Sequence, residues 1–204
     1  MHPKKEKTFV ILKPDAIQRG LVGEILNRFE RIGLKIVAMK MMLPTEEMCL
    51  KHYNKDDAWL ISKGENNVIA NRKATGLPIE KEAIEYGRDI LRGLVEYMMC
   101  SPVVVMILEG NSSQAVVKRL VGSTEPATAD TGTIRGDLSL ETYMLCDASG
   151  GRAVRNLIHC TDPKDGEGAA EREISVWFKQ EEIVKWKSIN EKMLYDIDLD
   201  GHLE

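Results

Sequence analysis

Four short motifs contain the side chains that could support chemistry in this chain. One is RNLIHCTD at residues 155–162, which includes His159, one of four histidines. The others are KPDAIQRG at 13–20, KRLVGST at 118–124 and GTIRGD at 132–137. Together they supply an imidazole, several cations and hydroxyl donors, but no pair of carboxylates. This set is typical of a phosphate group held by cations opposite a nitrogen nucleophile, because phosphoryl transfer requires mainly positioning and charge neutralisation.

Each motif also has a simpler interpretation. Lys13 alone could be a surface lysine before a Pro-Asp turn, and Lys118 and Arg119 could stabilise the end of a helix through its dipole. Arg135 lies between two glycines, where a backbone can approach a ligand closely and an arginine can donate two parallel hydrogen bonds to phosphate. A neutral imidazole such as that of His159 can attack phosphorus and hold the group covalently. The combination favours a phosphate site over independent surface features.

The spacing of apolar residues predicts the elements that must position these motifs. The predicted strands are 8–12, 34–42, 102–109 and a fourth that leads into His159. The predicted helices are 21–32, 112–122 and a short one capped by Thr45. The order β-α-β-β-α-β predicts an α+β fold of the ferredoxin-like type. This is a split βαβ sandwich in which helices back a four-stranded antiparallel sheet.

Two stretches are predicted as insertions into a single domain spanning residues 1–204. Residues 54–88 are polar and dotted with glycines, and they lead into an amphipathic pattern, so an inserted helical segment is expected. Residues 138–154 contain the turn-like string DASGGR. The acidic tail, 196–204, is expected to be mobile. Its DIDLDG string begins like a calcium loop, but no glutamate follows at the twelfth position, so no calcium site is predicted.

The composition excludes several classes of protein. The chain has 204 residues, a net charge of −4, 43% apolar and 29% charged residues, which is typical of a globular protein without a large cationic surface for nucleic acid. It shows no signal peptide and no apolar run of about 18 residues, so we expect a cytoplasmic protein without a membrane span. The four cysteines form no CxxC pair and no histidine lies at metal-ligand spacing. Zinc is therefore not expected, and the thiols should be free.

Three longer stretches resemble blocks of the nucleoside diphosphate kinases, in the same order. They are TFVILKPDAIQRGLVGEILNRFERIGLKIVAMKMM, GSTEPATADTGTIRGD, and RNLIHCTDP with the AEREISVWF that follows it. The quoted blocks make up about one third of the chain and lie along most of its length. They include the family's most specific motif, Asn-x-x-His, at Asn156 to His159. The two predicted insertions and the acidic tail lie outside them.

The resemblance implies a phosphotransferase with a ping-pong mechanism. ATP phosphorylates His159 and leaves as ADP, and a nucleoside diphosphate then takes the phosphoryl group. Lys13 corresponds to a lysine that contacts the transferring phosphate, and Tyr53 to a tyrosine that supports this lysine. Glu173 corresponds to the carboxylate that orients the imidazole.

Other matched residues are implied to bind the nucleotide. Thr124 and Arg135 correspond to phosphate contacts, and Asn156 to the residue that hydrogen-bonds the sugar hydroxyl. Relatives use an arginine four residues before the glycine that ends this helix. Here Lys118 stands in that place and Arg119 follows it. Either could contact phosphate, and the retained spacing favours Lys118.

Several positions depart from the family pattern. Gly-Ser usually follows the histidine, whereas here Cys160 and Thr161 follow it; the threonine keeps a hydroxyl for the site. The thiol is interpreted as a small buried filler, or as a group whose oxidation could block the enzyme. Ile90 stands where relatives stack an aromatic ring on the base, and Trp59 is an alternative stacking partner. Thr131 replaces a proline in a loop that supports subunit packing in relatives, which makes the assembly harder to infer.

The resemblance also implies Mg²⁺ as the cofactor, held mainly by the phosphates of the nucleotide, so no metal cage made by the protein is expected. The expected partners are ATP, nucleoside diphosphates and triphosphates, and further copies of this chain in a hexamer or tetramer. One alternative is a regulatory or scaffold protein that kept the fold but catalyses weakly. An RNA binder is a weaker alternative, because only 5% of residues are aromatic. Residues 54–88 are expected near the nucleotide entrance or, alternatively, at a subunit contact.

Overall fold

The structure is a computed structural model that describes residues 5–149 and 151–195. The strands are β1 Glu6–Leu12, β2 Lys35–Met42, β3 Val103–Gly110 and β4 Ile158–Cys160. The α-helices are α1 Pro14–Gln18, α2 Val22–Glu30, α3 Glu46–Tyr53, α4 Asp57–Lys63, α5 Ala70–Thr75, α6 Ala83–Met99, α7 Ser113–Val121, α8 Ile134–Leu138, α9 Tyr143–Ala148, α10 Ala169–Trp177 and α11 Ile189–Tyr195. Shorter helical turns are the π-helix Gly64–Ile69 and the 3-10 turns Pro126–Thr128, Pro163–Asp165 and Gln180–Glu182.

The four strands form one antiparallel sheet in the order β2-β3-β1-β4. This order confirms the predicted ferredoxin-like fold. The predicted strands and helices are present with ends that shift by a few residues, and the Thr45 side chain accepts the N–H of Met48, as expected of a helix cap. The uncertain fourth strand is short and contains His159 itself, at the edge of the sheet beside β1.

Helices cover both faces of the sheet, because the central strands are apolar on both sides. Val10 and Leu12 of β1 face a core that α2 and α7 complete, and Phe9 and Ile11 face a second core built with α3, α6 and α10. Successive side chains of a strand point to opposite faces, so one apolar run supplies both cores. The side chains of β1 are fully buried from Phe9 to Leu12. The loop that begins at Lys13 therefore leaves the sheet from a fixed position.

The predicted inserted segment is helical and packs on α6. It consists of α4, the π-helix and α5. Two glycines allow the close contact. A Cβ at Gly87 would lie 2.1 Å from the Leu60 carbonyl oxygen, and one at Gly64 would lie 1.8 Å from that of Ala83. Any other residue at either position would force the two helical layers apart.

The second stretch, 138–154, runs from the end of α8 towards β4. It contains the short helix α9, and the Glu141 and Arg152 side chains pair through two hydrogen bonds of 2.8 and 2.9 Å. Asn71 of the inserted segment donates a hydrogen bond to Asp147 of α9, so the two added stretches meet. Within the described part of the chain, no helix is long and apolar enough to cross a membrane. The acidic tail with its DIDLDG string lies outside the described residues.

Candidate active site

A cavity of about 400 Å³ opens between the carboxyl end of β1, β4 and the inserted segment. Most of the residues singled out from the sequence line its wall: Lys13, Tyr53, Ile90, Lys118, Thr124, Arg135, Asn156, His159 and Glu173. Arg119 and Thr161 are not part of this wall. The fold therefore brings residues from seven separate parts of the chain to one place, which the linear sequence could only suggest.

His159 is held by a carboxylate behind its ring. Nε2 lies 2.9 Å from Oε1 of Glu173, a residue on α10 that is almost fully buried. Burial alone would raise the pKa of Glu173, but the adjacent imidazoles and hydrogen bonds lower it to about 2. An ionised carboxylate can only accept a hydrogen bond, so Nε2 of a neutral His159 carries the proton. The lone pair then belongs to Nδ1, so that nitrogen is the ring atom able to act as a nucleophile.

Thr161 contributes to the site through Glu173. Its hydroxyl donates a 2.6 Å hydrogen bond to Glu173 Oε2, and the residue is fully buried behind the histidine. The sequence suggested that the Thr161 hydroxyl could bind the nucleotide. In this structure that hydroxyl instead holds the Glu173 carboxylate. Cys160, on the strand between the two, is also buried, and burial raises the pKa of its thiol to about 11. A thiol with so little thiolate at neutral pH matches the interpretation as a filler.

Lys13 delivers a buried cation to the cavity. Its Nζ donates to Oδ1 of Asn156 at 2.7 Å, and Nδ2 of Asn156 donates to the carbonyl of Thr124 at 2.8 Å. Burial and the nearby charge of Arg135 lower the pKa of Lys13 to about 8. Tyr53 lies on the same wall, and burial raises the pKa of its hydroxyl. The hydrogen bond that Lys13 makes here goes to Asn156 and not to the tyrosine.

Arg135 uses most of its donors on the protein backbone. Its guanidinium donates to four carbonyl oxygens at 2.6–3.1 Å, those of Gly122, Ser123, Asn156 and Ile158. An arginine has five N–H donors, so one remains for a ligand. The two parallel hydrogen bonds to phosphate that the sequence suggested are therefore not free in this conformation. The residue instead joins the loop after α7 to the loop before β4.

The loop before β4 contains a strained turn that the sequence does not reveal. Leu157 is buried and has a φ of 65°, in the left-handed region that bulky residues rarely adopt. The N–H of Ile158 donates to the carbonyl of Asn156, which closes a three-residue turn. The Leu157 N–H donates to Asp15 Oδ2 at 3.0 Å, and its carbonyl accepts from the Lys13 N–H at 2.8 Å. These bonds fix His159 relative to Lys13.

The end of α7 places one of its two cations at the cavity. Lys118 lies on the wall and pairs with Asp162 at 2.7 Å, whereas Arg119 is exposed. Successive helical residues point about 100° apart, so the two cannot face one ligand together. Lys118 therefore faces the cavity and Arg119 does not, while a contact of Lys118 with phosphate stays a prediction.

The outer part of the cavity is apolar on one side and includes the inserted segment. Ile90 lies on α6, and Trp59, Lys63 and Val68 belong to the insertion. The Lys55 and Lys63 ammonium groups lie 5.3 and 5.8 Å from the centre of the Trp59 ring. The alternative aromatic partner for a base is therefore at the entrance, next to cations.

The sequence did not draw attention to His52. This histidine lies on α3 next to Tyr53 and is buried, and its ring meets that of His159 edge to face with 4.5 Å between centres. Its Nδ1 lies 3.9 Å from Glu173 Oε1. The position of His52 three residues after the buried Cys49, on the same helix face, was the only available signal. No histidine lies at metal-ligand spacing in the sequence, yet the fold brings two of them together.

Comparisons with known proteins agree with this geometry. A sequence model of the nucleoside diphosphate kinase family matches residues 6–60 and 80–183. It omits 61–79, within the inserted segment, and runs without a break through 138–154. A nucleoside diphosphate kinase of Pyrobaculum aerophilum is 46% identical over 184 residues, which is 88% of this chain and 98% of that protein.

Solved structures give the same result. The crystal structure of a Pyrobaculum aerophilum NDP kinase superposes with a TM-score of 0.81 at 44% identity, over 89% of this chain and all of the other. A transition-state mimic of the Borrelia burgdorferi enzyme, with bound vanadate and ADP, has a TM-score of 0.72 at 33% identity and covers 93% and 96% of the two chains. The chain therefore belongs to the nucleoside diphosphate kinase family and is a phosphotransferase, as the motifs predicted.

Proposed function

We propose that His159 is the group that is phosphorylated, through Nδ1. The observation that carries this proposal is the hydrogen bond from Nε2 to the ionised Glu173, because it leaves Nδ1 with a lone pair. In the first half-reaction Nδ1 attacks the γ-phosphorus of ATP, and the bond to the bridging oxygen breaks, so ADP leaves with that electron pair. In the second, a terminal phosphate oxygen of a nucleoside diphosphate attacks, and the N–P bond breaks.

Glu173 offsets the charge that the ring acquires. Phosphorylated at Nδ1 and still protonated at Nε2, the imidazole ring is formally cationic. The carboxylate 2.9 Å away stabilises that form without accepting the proton, because its pKa is lowered to about 2. Thr161 holds the second carboxylate oxygen in place. The role of Glu173 is therefore to orient and stabilise, and no proton transfer is needed.

The phosphates are proposed to bind between Lys13, Lys118, Thr124 and the remaining N–H of Arg135. Lys13 emerges from a buried strand and Lys118 from a helix end, so their cations approach the cavity from different directions. The lysine at 118 acts as a point charge and can exchange its contact with Asp162 for one with phosphate. Asn156 has one amide hydrogen beyond its bond to Thr124, which suits a sugar hydroxyl or a phosphate oxygen.

The base is proposed to lie against Ile90 and Trp59, at the outer end of the cavity. An isoleucine contributes apolar contact and the indole a face for stacking, and neither reads the hydrogen-bonding edge of a base. One site must accept both the donor and the acceptor nucleotide in a ping-pong mechanism. Contacts of this kind therefore agree with an enzyme that is unselective for the base.

Mg²⁺ fits this site as an ion carried by the nucleotide. Within residues 5–149 and 151–195, no group of three carboxylates converges on one point, and Asp162 is occupied by Lys118. Asp165 is an exposed carboxylate on the cavity wall that could hold a water of the hydrated ion. When bound, the ion would supply charge neutralisation at the β- and γ-phosphates.

The test is transfer of label from γ-labelled ATP with Mg²⁺ to the protein. The wild-type protein should become labelled, lose the label on mild acid treatment, and pass it to added GDP. His159→Ala should abolish both labelling and transfer, because no adjacent group can hold the phosphoryl. Acid-stable label, or exchange that persists in this variant, would contradict the proposal. Nucleotide binding without any labelling of the wild-type protein would favour the regulatory or scaffold alternative.

We also propose a cytoplasmic homo-oligomer, either a hexamer or a tetramer. The four cysteines are free, which suits a reducing compartment. Met39, Met41 and Leu43 are 50–64% exposed at the open edge of the sheet, where a second copy could cover them. Light scattering gives the mass in solution, and a monomer would contradict this part of the proposal.

A further inference from the structure

Three potential metal ligands converge behind the nucleophile. The donor atoms of His52, His159 and Glu173 all lie within 4.8 Å of one another. Two of the separations from Glu173 Oε1 are known: 2.9 Å to His159 Nε2 and 3.9 Å to His52 Nδ1. The mechanism proposed above uses the first contact and gives no role to the second.

His52 has a nitrogen whose bonding capacity is unfilled. The ring is 4% exposed, and within the described residues its Nδ1 has no hydrogen-bond partner. Buried polar atoms almost always have a partner, because an unpaired one has lost its hydrogen bond to water without gaining another. Burial and the adjacent His159 lower the pKa of His52 well below its usual value, so the ring is neutral and offers a lone pair. An unpaired imidazole next to a second imidazole and a carboxylate is a set of ligands suited to a metal cation.

We propose that His52, His159 and Glu173 form a binding site for a zinc-class divalent transition-metal ion. Zinc binds imidazole nitrogen and carboxylate oxygen at about 2.0–2.2 Å, which places tetrahedral ligands about 3.4 Å apart. The measured 2.9 and 3.9 Å lie on either side of this value. Two histidines and a glutamate supply three ligands, and a water molecule could supply the fourth.

Charge and ligand type decide which ions fit. Glu173 supplies one negative charge, and Lys13 and Arg172 are cations close enough to act on His52. A hard ion such as Mg²⁺ prefers oxygen ligands and gains little here. Zn²⁺, Co²⁺, Ni²⁺ and Cu²⁺ bind imidazole strongly enough to tolerate the nearby cations.

Occupancy of this site should stop phosphoryl transfer, a consequence that rests on the proposed function. The ion takes the lone pair of Nε2, so the single proton of the neutral ring moves to Nδ1 through exchange with water. Nδ1 then has no lone pair with which to attack phosphorus. Metal binding and nucleophilic attack are therefore mutually exclusive at His159, and the ion acts as a reversible inhibitor.

The first experiment uses metal alone. Untagged, EDTA-stripped protein without nucleotide or Mg²⁺ is titrated with Co²⁺, followed by its visible absorption, and Zn²⁺ is then added as a competitor. One Co²⁺ should bind per chain and be displaced by Zn²⁺. His52→Asn should weaken binding at least about tenfold, since even partners outside the ligand shell change affinity by 10–100-fold. The control is the double variant His2→Asn/His202→Asn, which removes the other two histidines and should bind as the wild type does.

The outcomes separate this site from the proposed function. No saturable Co²⁺ binding, or binding that survives His52→Asn and is lost in the control, overturns the metal site. If circular dichroism shows that His52→Asn does not fold, the test uses NMR of isotope-labelled histidine rings in the wild-type protein with Co²⁺ added. Paramagnetic shifts of His52 and His159 support the site, and unshifted signals overturn it. Zn²⁺ should also block labelling by γ-labelled ATP, and EDTA should restore it. Absence of labelling in metal-free protein counts only against the proposed function.

Discussion

Nucleotide binding should take up a proton on Lys13. Burial and the charge of Arg135 lower the pKa of this lysine to about 8 in the free protein. An anionic triphosphate that replaces part of its surroundings favours the charged ammonium, and an opposite charge at close range raises a lysine pKa by about 1–3 units. Because nucleotide binding is linked to protonation of Lys13, nucleotide affinity should fall as pH rises through about 8.

The size of the effect can be worked out from that pKa. At pH 8 about half of the free protein has a neutral Lys13, given a pKa of about 8. An adjacent phosphate raises this pKa, so Lys13 is almost fully charged in the complex. Binding should therefore consume about 0.4–0.5 proton at pH 8 and almost none at pH 6.

The lowered pKa of Lys13 also affects the folding stability of the free protein. Charged Lys13 costs about 3 kcal/mol of folding free energy below pH 8, and this cost is lost as pH rises towards the unfolded pKa of 10.5.

Isothermal titration calorimetry measures this proton directly. A non-hydrolysable ATP analogue is titrated at pH 8 in two buffers with different ionisation enthalpies, and the difference in apparent enthalpy gives the protons taken up. Lys13→Met keeps the apolar stem of the side chain but cannot titrate, so the uptake should disappear. Zero uptake in the wild-type protein, or equal uptake in the variant, would refute the assignment of the low pKa to a phosphate-binding Lys13.

Three further predictions concern Glu173, the two cations of α7 and the insertion. Glu173→Gln should slow labelling of the protein by roughly 10–100-fold in quench-flow, because an amide keeps a hydrogen bond but loses the charge; an unchanged rate would count against its role. Lys118→Ala should weaken nucleotide affinity by about 1 kcal/mol, roughly fivefold, while Arg119→Ala has little effect; the reverse order in calorimetry would show that the helix end turns. Trp59→Ala should raise the Michaelis constant for ATP several-fold and leave the mass in light scattering unchanged. A changed mass with an unchanged constant would assign the insertion to a subunit contact.

Much of the fold could be predicted because its signals are local. The run around Phe9 to Leu12 is apolar and β-branched, and only a buried strand accommodates such a run with turns on both sides. Thr45 marked a helix start by its type alone. The edge strand at His159 could not be placed as securely, because three residues give too little periodicity to read.

The sequence predicted which residues form the candidate site, but it did not predict most of the contacts between them. Lys13 and His159 stand in motifs whose residue types imply phosphate chemistry. The four carbonyl partners of Arg135 come from two other loops, and no pattern within its own motif points to them. His52 shows the same difficulty, since it lies 107 positions from His159 (159 minus 52) and only the tertiary fold brings the two rings together. Residue types suggest a chemistry, whereas donors and acceptors are assigned only by tertiary structure.

The partners of Leu157 explain why a strained turn persists next to the nucleophile. A left-handed conformation of a bulky residue costs about 1–3 kcal/mol. The turn is fixed from several sides: Asp15 accepts its N–H, the Lys13 backbone N–H reaches its carbonyl, and Arg135 donates to the carbonyls on both sides of it. Hydrogen bonds with a charged partner contribute about 1.5–3 kcal/mol each, so three of them outweigh the strain. Arg135 therefore serves this site mainly by holding the turn. It fixes the distance between His159, the proposed nucleophile, and Lys13 at the end of β1, and phosphoryl transfer depends on such positioning.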